Sequence, residues 1–414
     1  MNGLVVQIEH RFYGQSLPII DYTNEDLKLL MNTEQALFDA VRFVQHIRMK
    51  NNCSLDKYSE YYCAVIAIGG SYPGFMSAMM RIVHSDVIDM AYAASAPLKF
   101  YAQLVQQDAY YNHITYVAEK SSPGCADAVS DTLYEAQALL LNASYTFEDM
   151  ARDIGICNGS LPKYITSSDI FTEELFMVIA YTFANFNMAY YPPKSIKTTK
   201  LESSCLLFQN KSSSLNQKMK FFLNQIADTT TNARSNNCFN MSSQLPTGAN
   251  STITAGDWSG VGTKNDGFMW DFQTCSYLIE QIGFSQTSMF PTRAWSFSWL
   301  LDHCLQRFNI SAPLPYFYLN KWNFMHVLQN AKNIIFTNGC NDGWFVGSIT
   351  QNITNNNNIV VLNFPNGAHH SDLSRVGPNH DSDTDDIKNG YVTILNILKR
   401  WLSDIGRKSL MTPF

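Results

Sequence analysis

The sequence IAIGGSYPGF at residues 66–75 decides the fold, because it joins an apolar strand to a helix through a glycine-rich turn. The apolar run begins at Tyr61, and a continuous run of this kind is typical of a central strand in a parallel sheet. A helical pattern follows at residues 74–84, and another apolar strand follows at residues 87–93. The order strand, helix, strand predicts a βαβ unit and therefore a parallel sheet.

Similar signals occur towards both ends of the chain. Further strands are predicted at residues 4–8, 333–337 and 359–364, and helices at residues 25–49 and 385–405. The intervening region has mainly helical patterns separated by Ser-, Thr- and Asn-rich loops, at residues 126–141, 171–183, 214–227, 268–282 and 296–308. We therefore expect an α/β core made of residues 1–100 and 326–414, with a helical insertion at residues 101–325.

The composition limits the class of protein. The chain has 414 residues, of which 46% are hydrophobic and 13% aromatic, so it can form a large core and is not a mainly disordered chain. Its formal net charge of −6 excludes general nucleic-acid binding, which needs a basic surface. No apolar run approaches the roughly 18 residues that span a membrane.

Cysteines and glycosylation sequons indicate the compartment. The nine cysteines are scattered, with neither CxxC spacing nor the Cys/His spacing of a zinc site, and their odd number leaves at least one thiol unpaired within the chain. N-x-S/T sequons accompany them at Asn52, Asn142, Asn158, Asn210, Asn240, Asn250, Asn309 and Asn352. This combination favours the secretory pathway. The first residues resemble the middle of a strand and not a signal peptide, so we expect a leader and the first strands to be missing from this sequence.

Ser71 lies between the strand and the helix, which is the context of a nucleophile elbow. A strained turn of this kind lifts the serine Oγ above the edge of the sheet, and the N–H of Tyr72 would donate a hydrogen bond to an oxyanion. The usual pattern is G-x-S-x-G, and Pro73 replaces its second glycine, although proline is tolerated in a first helical turn. The alternative is an ordinary glycine-rich turn with an incidental serine.

A nucleophilic serine needs a histidine base and a carboxylate that orients it. In α/β-hydrolases both follow late strands, and here Asp342 and His369 each follow a predicted strand. His370 could replace His369, and Asp372 is a second carboxylate that could instead belong to a turn or a helix cap. His380 and residues 381–386 are expected to form a solvated acidic loop and not a metal site.

Several blocks together resemble the prolyl-carboxypeptidase and dipeptidyl-peptidase II family of serine peptidases. The sequence EHRFYGQS at residues 9–16 is similar to the family's E-H-R-Y-Y-G-x-S, and GGSYPG at residues 69–74 is similar to G-G-S-Y-G-G. Further similar blocks are AASAP at residues 93–97, WDFQTC at 270–275, NGCNDGW at 338–344 and GAHHSDL at 367–373. They span most of the chain in the family's order.

The resemblance implies an α/β-hydrolase core with a mainly parallel sheet and a helical, disulfide-linked cap. It would make Ser71 the nucleophile, Asp342 the acid and His369 the base. It also implies the disulfides Cys125–Cys205, Cys157–Cys238 and Cys275–Cys304, which leaves Cys53, Cys63 and Cys340 unassigned, a Cys53–Cys63 bond being one option. Pro73 and Gly343 depart from the family pattern beside catalytic positions, and a loop that should help to form the oxyanion hole would precede this sequence.

The leading hypothesis is a serine exopeptidase that cleaves short peptides at proline without a metal or other cofactor. Trp344 and Phe75 could line an apolar pocket for proline or could belong to the core. The alternatives are a non-catalytic glycoprotein that keeps the fold for binding, and an α/β-hydrolase esterase or lipase. The sequence leaves the oligomeric state open, with a homodimer as one candidate. Within the secretory pathway, the expected location is a lysosome or vacuole or the extracellular space.

Overall fold

A computed structural model gives the architecture, and it describes residues 3–142, 144–191, 198–229, 234–235, 238–243, 265–312, 323–353, 358–373 and 383–410. The chain forms two compact units. The first contains the described residues of Met1–Leu104, Tyr191–Ser195 and Leu314–Phe414, and the second contains those of Val105–Tyr190 and Ile196–Pro313. The boundaries at residues 101 and 325 that the sequence suggests stay predictions.

A four-stranded sheet forms the centre of the first unit. Its strands are β1 (Ile66–Gly70), β2 (Met90–Ala94), β5 (Ile334–Gly339) and β6 (Ile359–Phe364), in the spatial order β1-β2-β5-β6. All three pairings are parallel, with Ile66 opposite Met90, Ala91 opposite Ile334, and Ile334 opposite Ile359. Every residue of β2 and β5 is buried, as expected for inner strands covered on both faces.

Helices cover the two faces of this sheet. On one face, α14 (Asp385–Leu410) packs Ile394, Leu398 and Trp401 against alternate residues of the inner strands. On the other face, Val41 of α2 (Thr33–Lys50) packs against Ala67. The unit also contains α1 (Asn24–Leu30), α3 (Tyr72–Val83), α4 (Leu98–Tyr101) and α13 (Phe324–Asn330).

The second unit is mainly helical. Its helices are α5 (Ala109–Ser121), α6 (Cys125–Leu139), α7 (Phe147–Asp153), α8 (Ser168–Met188), α9 (Lys200–Gln209), α10 (Leu215–Thr229), α11 (Asn265–Ser276) and α12 (Phe297–Phe308). Two short strands, β3 (Arg234–Ser235) and β4 (Cys238–Phe239), form an antiparallel pair. Phe183, Phe208 and Phe222 are fully buried and contact one another in the core of this unit.

Four disulfides are present. Three join the pairs that the family resemblance implies, Cys125–Cys205, Cys157–Cys238 and Cys275–Cys304, and all three lie in the helical unit. The fourth is Cys53–Cys63, so Cys340 is the one cysteine that is not in a disulfide. A parallel sheet flanked by helices, with a disulfide-linked helical insertion, confirms the predicted class of an α/β-hydrolase with a cap.

The structure corrects three predicted elements. Residues 4–8 are not a buried strand, since Leu4 and Val5 are 69% and 85% exposed, and no strand among the described residues pairs with this apolar segment. The strand predicted from Tyr61 begins only at Ile66, because the Cys53–Cys63 disulfide and a bridge between Ser54 and Tyr62 hold the preceding residues in a turn.

The long helix expected at residues 25–49 is instead two helices, because Asn32 accepts a hydrogen bond from Gln35 N and so caps the start of α2. Thr23, in a capping box with Asp26, caps α1.

None of the described helices is both long enough and apolar enough to span a membrane.

Candidate active site

The candidate site lies at the carboxyl edge of the four-stranded sheet. Because the four strands are parallel, the segments that follow them emerge at one edge. Ser71 follows β1, Ser95 follows β2, Asp342 follows β5 and His369 follows β6. All four therefore belong to the same unit of the chain.

Ser71 has the strained backbone of a strand-to-helix elbow, with φ 61° and ψ −131°. Its N–H donates to Ala94 O at 2.8 Å, and its carbonyl accepts the first helical hydrogen bond, from Phe75 N. The turn is tight enough that a Cβ at Gly69 would lie 2.1 Å from the carbonyl oxygen of Pro73. Glycine at position 69 therefore allows the close approach, and the exposed Pro73 fits the first turn of α3.

Asp342 and His369 are in direct contact. His369 Nδ1 donates to Asp342 Oδ2 at 2.6 Å, and the Asp342 side chain is almost completely buried. The other carboxylate oxygen of Asp342 accepts from Trp344 N at 3.1 Å, and this bond holds the turn that contains Gly343. The His369 side chain is 11% exposed. Within the described residues, no side-chain hydrogen bond joins Ser71 to His369.

The loops that carry the acid and the histidine are tied to each other through their backbones. Cys340 N donates to Phe364 O at 2.9 Å, and Asn341 N donates to Gly367 O at 3.0 Å. These two bonds fix the separation of the segments after β5 and β6, and with it the contact between Asp342 and His369.

His370 is directed differently from His369. Its N–H donates to Ser95 Oγ at 2.9 Å, its φ is 37°, and its ring lies so close to Gly70 that a Cβ there would meet it at 2.8 Å. Burial, with a smaller repulsion from His369, lowers the pKa of His370. Ser95 was not predicted as a site residue, although the AASAP block was the signal for it.

Asp372, the alternative carboxylate, has another partner. It is buried, and the hydroxyl of Tyr92 on β2 donates to it. Burial raises the pKa of Asp372. The contact with His369 therefore belongs to Asp342, and Asp372 anchors the short 3₁₀ turn Ser371–Leu373 to the sheet.

The acidic loop predicted at residues 381–386 is wrong where the structure describes it. Asp383 is buried and accepts a hydrogen bond from Tyr191 at 3.1 Å, and Asp385 and Asp386 begin α14. The helix predicted at residues 385–405 has the correct start, and the error lies in extending the acidic loop over residues 383–386. His380 and residues 381–382 lie outside the described residues.

Three aromatic residues lie close in sequence to Ser71 or Asp342, namely Tyr72, Phe75 and Trp344. Tyr72 is the first residue of α3, and the first N–H groups of a helix have no acceptor within the helix itself. Phe75 is fully buried and contacts Tyr72 and Tyr101, and the 9%-exposed Trp344 packs its ring edge to face with Phe100.

One group of side chains has the composition of a metal site. Asp271, Cys275 and His303 bring a carboxylate, a sulfur and an imidazole together in the helical unit. The sulfur is bonded to Cys304, so it is not a thiolate, and Asp271 already accepts from His303 and from Arg307. This group is a buried ion cluster linking α11 to α12.

Comparisons with known proteins agree with this geometry. A family described as serine carboxypeptidase S28 matches residues 1–393. The chain belongs to the serine carboxypeptidase S28 family. It is therefore a serine peptidase of the exopeptidase type.

Curated relatives align over most of the chain. The human lysosomal Pro-X carboxypeptidase is 27% identical over 381 residues, which cover 90% of this chain and 70% of that protein. Prolyl carboxy peptidase like protein 5 of Caenorhabditis elegans is 24% identical and covers 99% and 79% of the two chains. The mouse thymus-specific serine protease is 26% identical and covers 98% and 75%. S28 membership implies peptide substrates.

Proposed function

We propose that this S28 peptidase releases short fragments from peptides by cleaving next to proline, with Ser71 as nucleophile, His369 as base and Asp342 as the orienting acid. The observation that carries the proposal is the 2.6 Å hydrogen bond between His369 and Asp342 at the sheet edge where Ser71 occupies a strained elbow. A buried carboxylate bonded to Nδ1 leaves Nε2 as the nitrogen that can accept a proton.

In the proposed mechanism, His369 Nε2 removes the proton from Ser71 Oγ as this oxygen attacks the scissile carbonyl. The Tyr72 N–H donates to the resulting oxyanion, and Asp342 stabilises the imidazolium. His369 then gives its proton to the leaving amine, and water hydrolyses the acyl-enzyme. Hydrogen bonds between serine and histidine are often long in a substrate-free site and tighten when substrate binds.

Two observations support the proposed selectivity for proline. Two of the relatives carry prolyl or Pro-X carboxypeptidase in their names. The aromatic side chain of Trp344, which is 9% exposed and follows Asp342 closely in the sequence, could form part of the wall of a proline pocket. Phe75, close to Ser71 in the sequence, is fully buried and would pack behind the pocket surface. Replacing Trp344 with alanine should raise KM for proline substrates more than it lowers the rate of acylation by a small reagent.

A fluorophosphonate probe tests the nucleophile directly. We expect one adduct on Ser71, no adduct in Ser71→Ala, and labelling slowed by about 10⁶-fold in His369→Ala. Asp342→Asn should slow labelling by about 10⁴-fold, because the wrong tautomer would be favoured. Asp372→Asn is the matched control and should label within a few-fold of wild type. An adduct that survives Ser71→Ala contradicts the assignment.

A substrate panel tests the specificity. Fluorogenic Xaa-Pro amides, peptides with a penultimate proline and p-nitrophenyl esters separate cleavage from the amino end, cleavage from the carboxyl end and general esterase activity. We expect proline peptides to give the highest kcat/KM. A preference for simple esters over every peptide would contradict the proposal and favour an esterase.

We also propose that the protein is glycosylated and acts in the secretory pathway, in a lysosome, a vacuole or the extracellular space. The disulfides and the lysosomal relatives support this. Sequon asparagines are exposed at Asn52, Asn142, Asn158, Asn210, Asn309 and Asn352, and Asn240 is half-buried, while Asn250 lies outside the described residues. Glycosidase treatment followed by peptide mass spectrometry should find glycans at the exposed positions. We also propose a homodimer, which light scattering would test by measuring the mass of the protein in solution.

A further inference from the structure

The EHRFYGQS block forms a loop whose role the proposed triad does not explain. Glu9 closes this loop by accepting hydrogen bonds from Gln15 N at 3.0 Å, Ser16 N at 2.8 Å and Ser16 Oγ at 2.7 Å. The chain turns through left-handed conformations at Phe12 and Gly14, and the Phe12 side chain is completely buried. The block is therefore a tightly constrained loop.

Arg11 fastens the loop to the rest of its unit. Its guanidinium makes a bidentate pair with Asp39 of α2, with Nε–Oδ2 at 2.6 Å and Nη2–Oδ1 at 2.7 Å. Its Nη1 also donates to Leu30 O at 2.8 Å. A planar guanidinium bonded in this way holds a defined position, which fixes the adjacent residue His10.

His10 is directed at the residue that follows the nucleophile. Its Nδ1 lies 2.8 Å from Arg11 O, and its Nε2 lies 3.1 Å from the hydroxyl of Tyr72. A carbonyl oxygen can only accept, so Nδ1 carries the proton. In the neutral ring Nε2 is then an acceptor, and the Tyr72 hydroxyl donates to it.

The charge state of His10 agrees with this assignment. Burial lowers its pKa most, while the hydrogen bond to Arg11 O opposes that effect, and the charges of Arg11 and Asp39 act in opposite directions. The ring is therefore neutral near neutral pH.

We propose that His10 is a positioning residue of the peptidase reaction, because it holds the Tyr72 side chain and thereby the Tyr72 N–H that faces the oxyanion. This inference rests on the proposed function. Tyr72 begins α3 directly after the strained Ser71, so its backbone belongs to the turn that carries the nucleophile. The hydrogen bond from its hydroxyl to His10 restrains its side chain, and an oxyanion donor acts only when it is already in place.

The rate at which a p-nitrophenyl ester acylates Ser71 in the full chain tests this role without assuming a peptide substrate. Removing an oxyanion donor costs about 10²–10³-fold, so displacing it should cost less, about tenfold. We expect His10→Leu and Tyr72→Phe each to slow acylation about tenfold, and the double variant to be no slower than either single variant. His10→Gln, whose amide oxygen can replace Nε2 as acceptor, should recover most of the rate. His46→Leu, an exposed histidine on α2, is the control.

The steady-state constants and the melting temperature separate positioning from simple packing. With a cleaved peptide, positioning lowers kcat and leaves KM within about twofold, at a melting temperature close to wild type in Tyr72→Phe. Wild-type acylation in Tyr72→Phe, or additive losses in the double variant, would overturn the inference while leaving the triad intact. If wild type forms no adduct at Ser71, the proposed function fails and this inference fails with it.

Discussion

Gly339 ends β5 at the point where the chain passes against the loop that carries His369. A Cβ at this position would lie 2.1 Å from the carbonyl oxygen of Ala368, a backbone atom that cannot turn aside as a flexible side chain could. The residue type at the end of β5 therefore controls how closely the segment of Asp342 approaches the segment of His369.

Gly339→Ala should consequently impair catalysis more than stability. The added methyl group pushes the Ala368 segment outward, and the His369–Asp342 bond of 2.6 Å lengthens or breaks. We expect acylation of Ser71 to slow by at least about 10²-fold, since misplacing a catalytic group by about 1 Å costs that much. Gly406→Ala is the control, because nothing lies near a Cβ there. Unchanged acylation in Gly339→Ala would show that the approach does not govern the acid–base pair.

His370 makes stability depend on pH. Burial, followed by repulsion from His369, lowers the pKa of His370 below the roughly 6.5 of an unfolded chain. As the pH falls below about 6.5, the unfolded chain binds the proton first. The stabilisation present above that pH is therefore lost progressively as the pH falls through the folded-state pKa.

His370→Asn should reduce this dependence. Asparagine does not titrate, and it tolerates the left-handed backbone at φ 37°. The difference in melting temperature between pH 7 and pH 5 should be smaller in the variant than in wild type, but not zero, because His10 also has a lowered pKa. An equal difference in the two proteins would mean that His370 does not contribute.

At the scale of the element, α3 has Pro73 in its first turn, where the similar block G-G-S-Y-G-G has glycine. Proline suits the first turn, because its missing N–H would have had no helical partner and its ring limits the unfolded chain. Pro73→Gly should lower the free energy of unfolding by about 0.4–1 kcal/mol. It should leave acylation of Ser71 within about twofold, because Gly69 and Gly74 already allow the close packing. Chemical denaturation checks the expected loss of stability, and the rate of Ser71 acylation checks the expected retention of activity. A tenfold loss of acylation would contradict the expectation for activity.

Local strand signals predicted the elements that carry the site, but they could not show which segments of the chain pair with each other. The strand at residues 359–364 was predicted with the bounds that the structure has, because a run of apolar residues between polar ones defines it locally. Residues 4–8 have equally apolar side chains, yet a strand also needs a neighbour, which no local pattern reports.

The same difference between local patterns and long-range contacts applies to the residues of the candidate site. Ser71, Asp342 and His369 could be predicted as a triad because each follows a strand in a recognisable block. The bonds from Tyr72 to His10 and from Tyr92 to Asp372 join residues 62 and 280 positions apart. Such contacts depend on the tertiary fold, and neither residue type nor spacing in the sequence reveals them.

At the scale of the whole molecule, the two units differ in what holds them together. The sheet unit contains one disulfide, which closes a separation of 10 residues. The helical unit contains three, which close separations of 80, 81 and 29 residues. In the chain-entropy account, a crosslink that closes a longer loop stabilises more, about 4.5 kcal/mol for 80 residues against about 2.7 for 10.

Reduction should therefore loosen the helical unit first. After reduction and alkylation under native conditions, hydrogen exchange measured by mass spectrometry should show faster exchange in α6, α9 and α12. Peptides from β2 and β5 should keep most of their protection, because these strands are buried on both faces and lie far in sequence from the three long-range crosslinks. The variant Cys53→Ser/Cys63→Ser lacks the single disulfide of the sheet unit. Its hydrogen exchange, measured after alkylation without reduction, shows the effect of losing that disulfide alone. Equal loss of protection in β2 and α6 at the same extent of reduction would mean that the disulfides stabilise the whole chain as one cooperative unit.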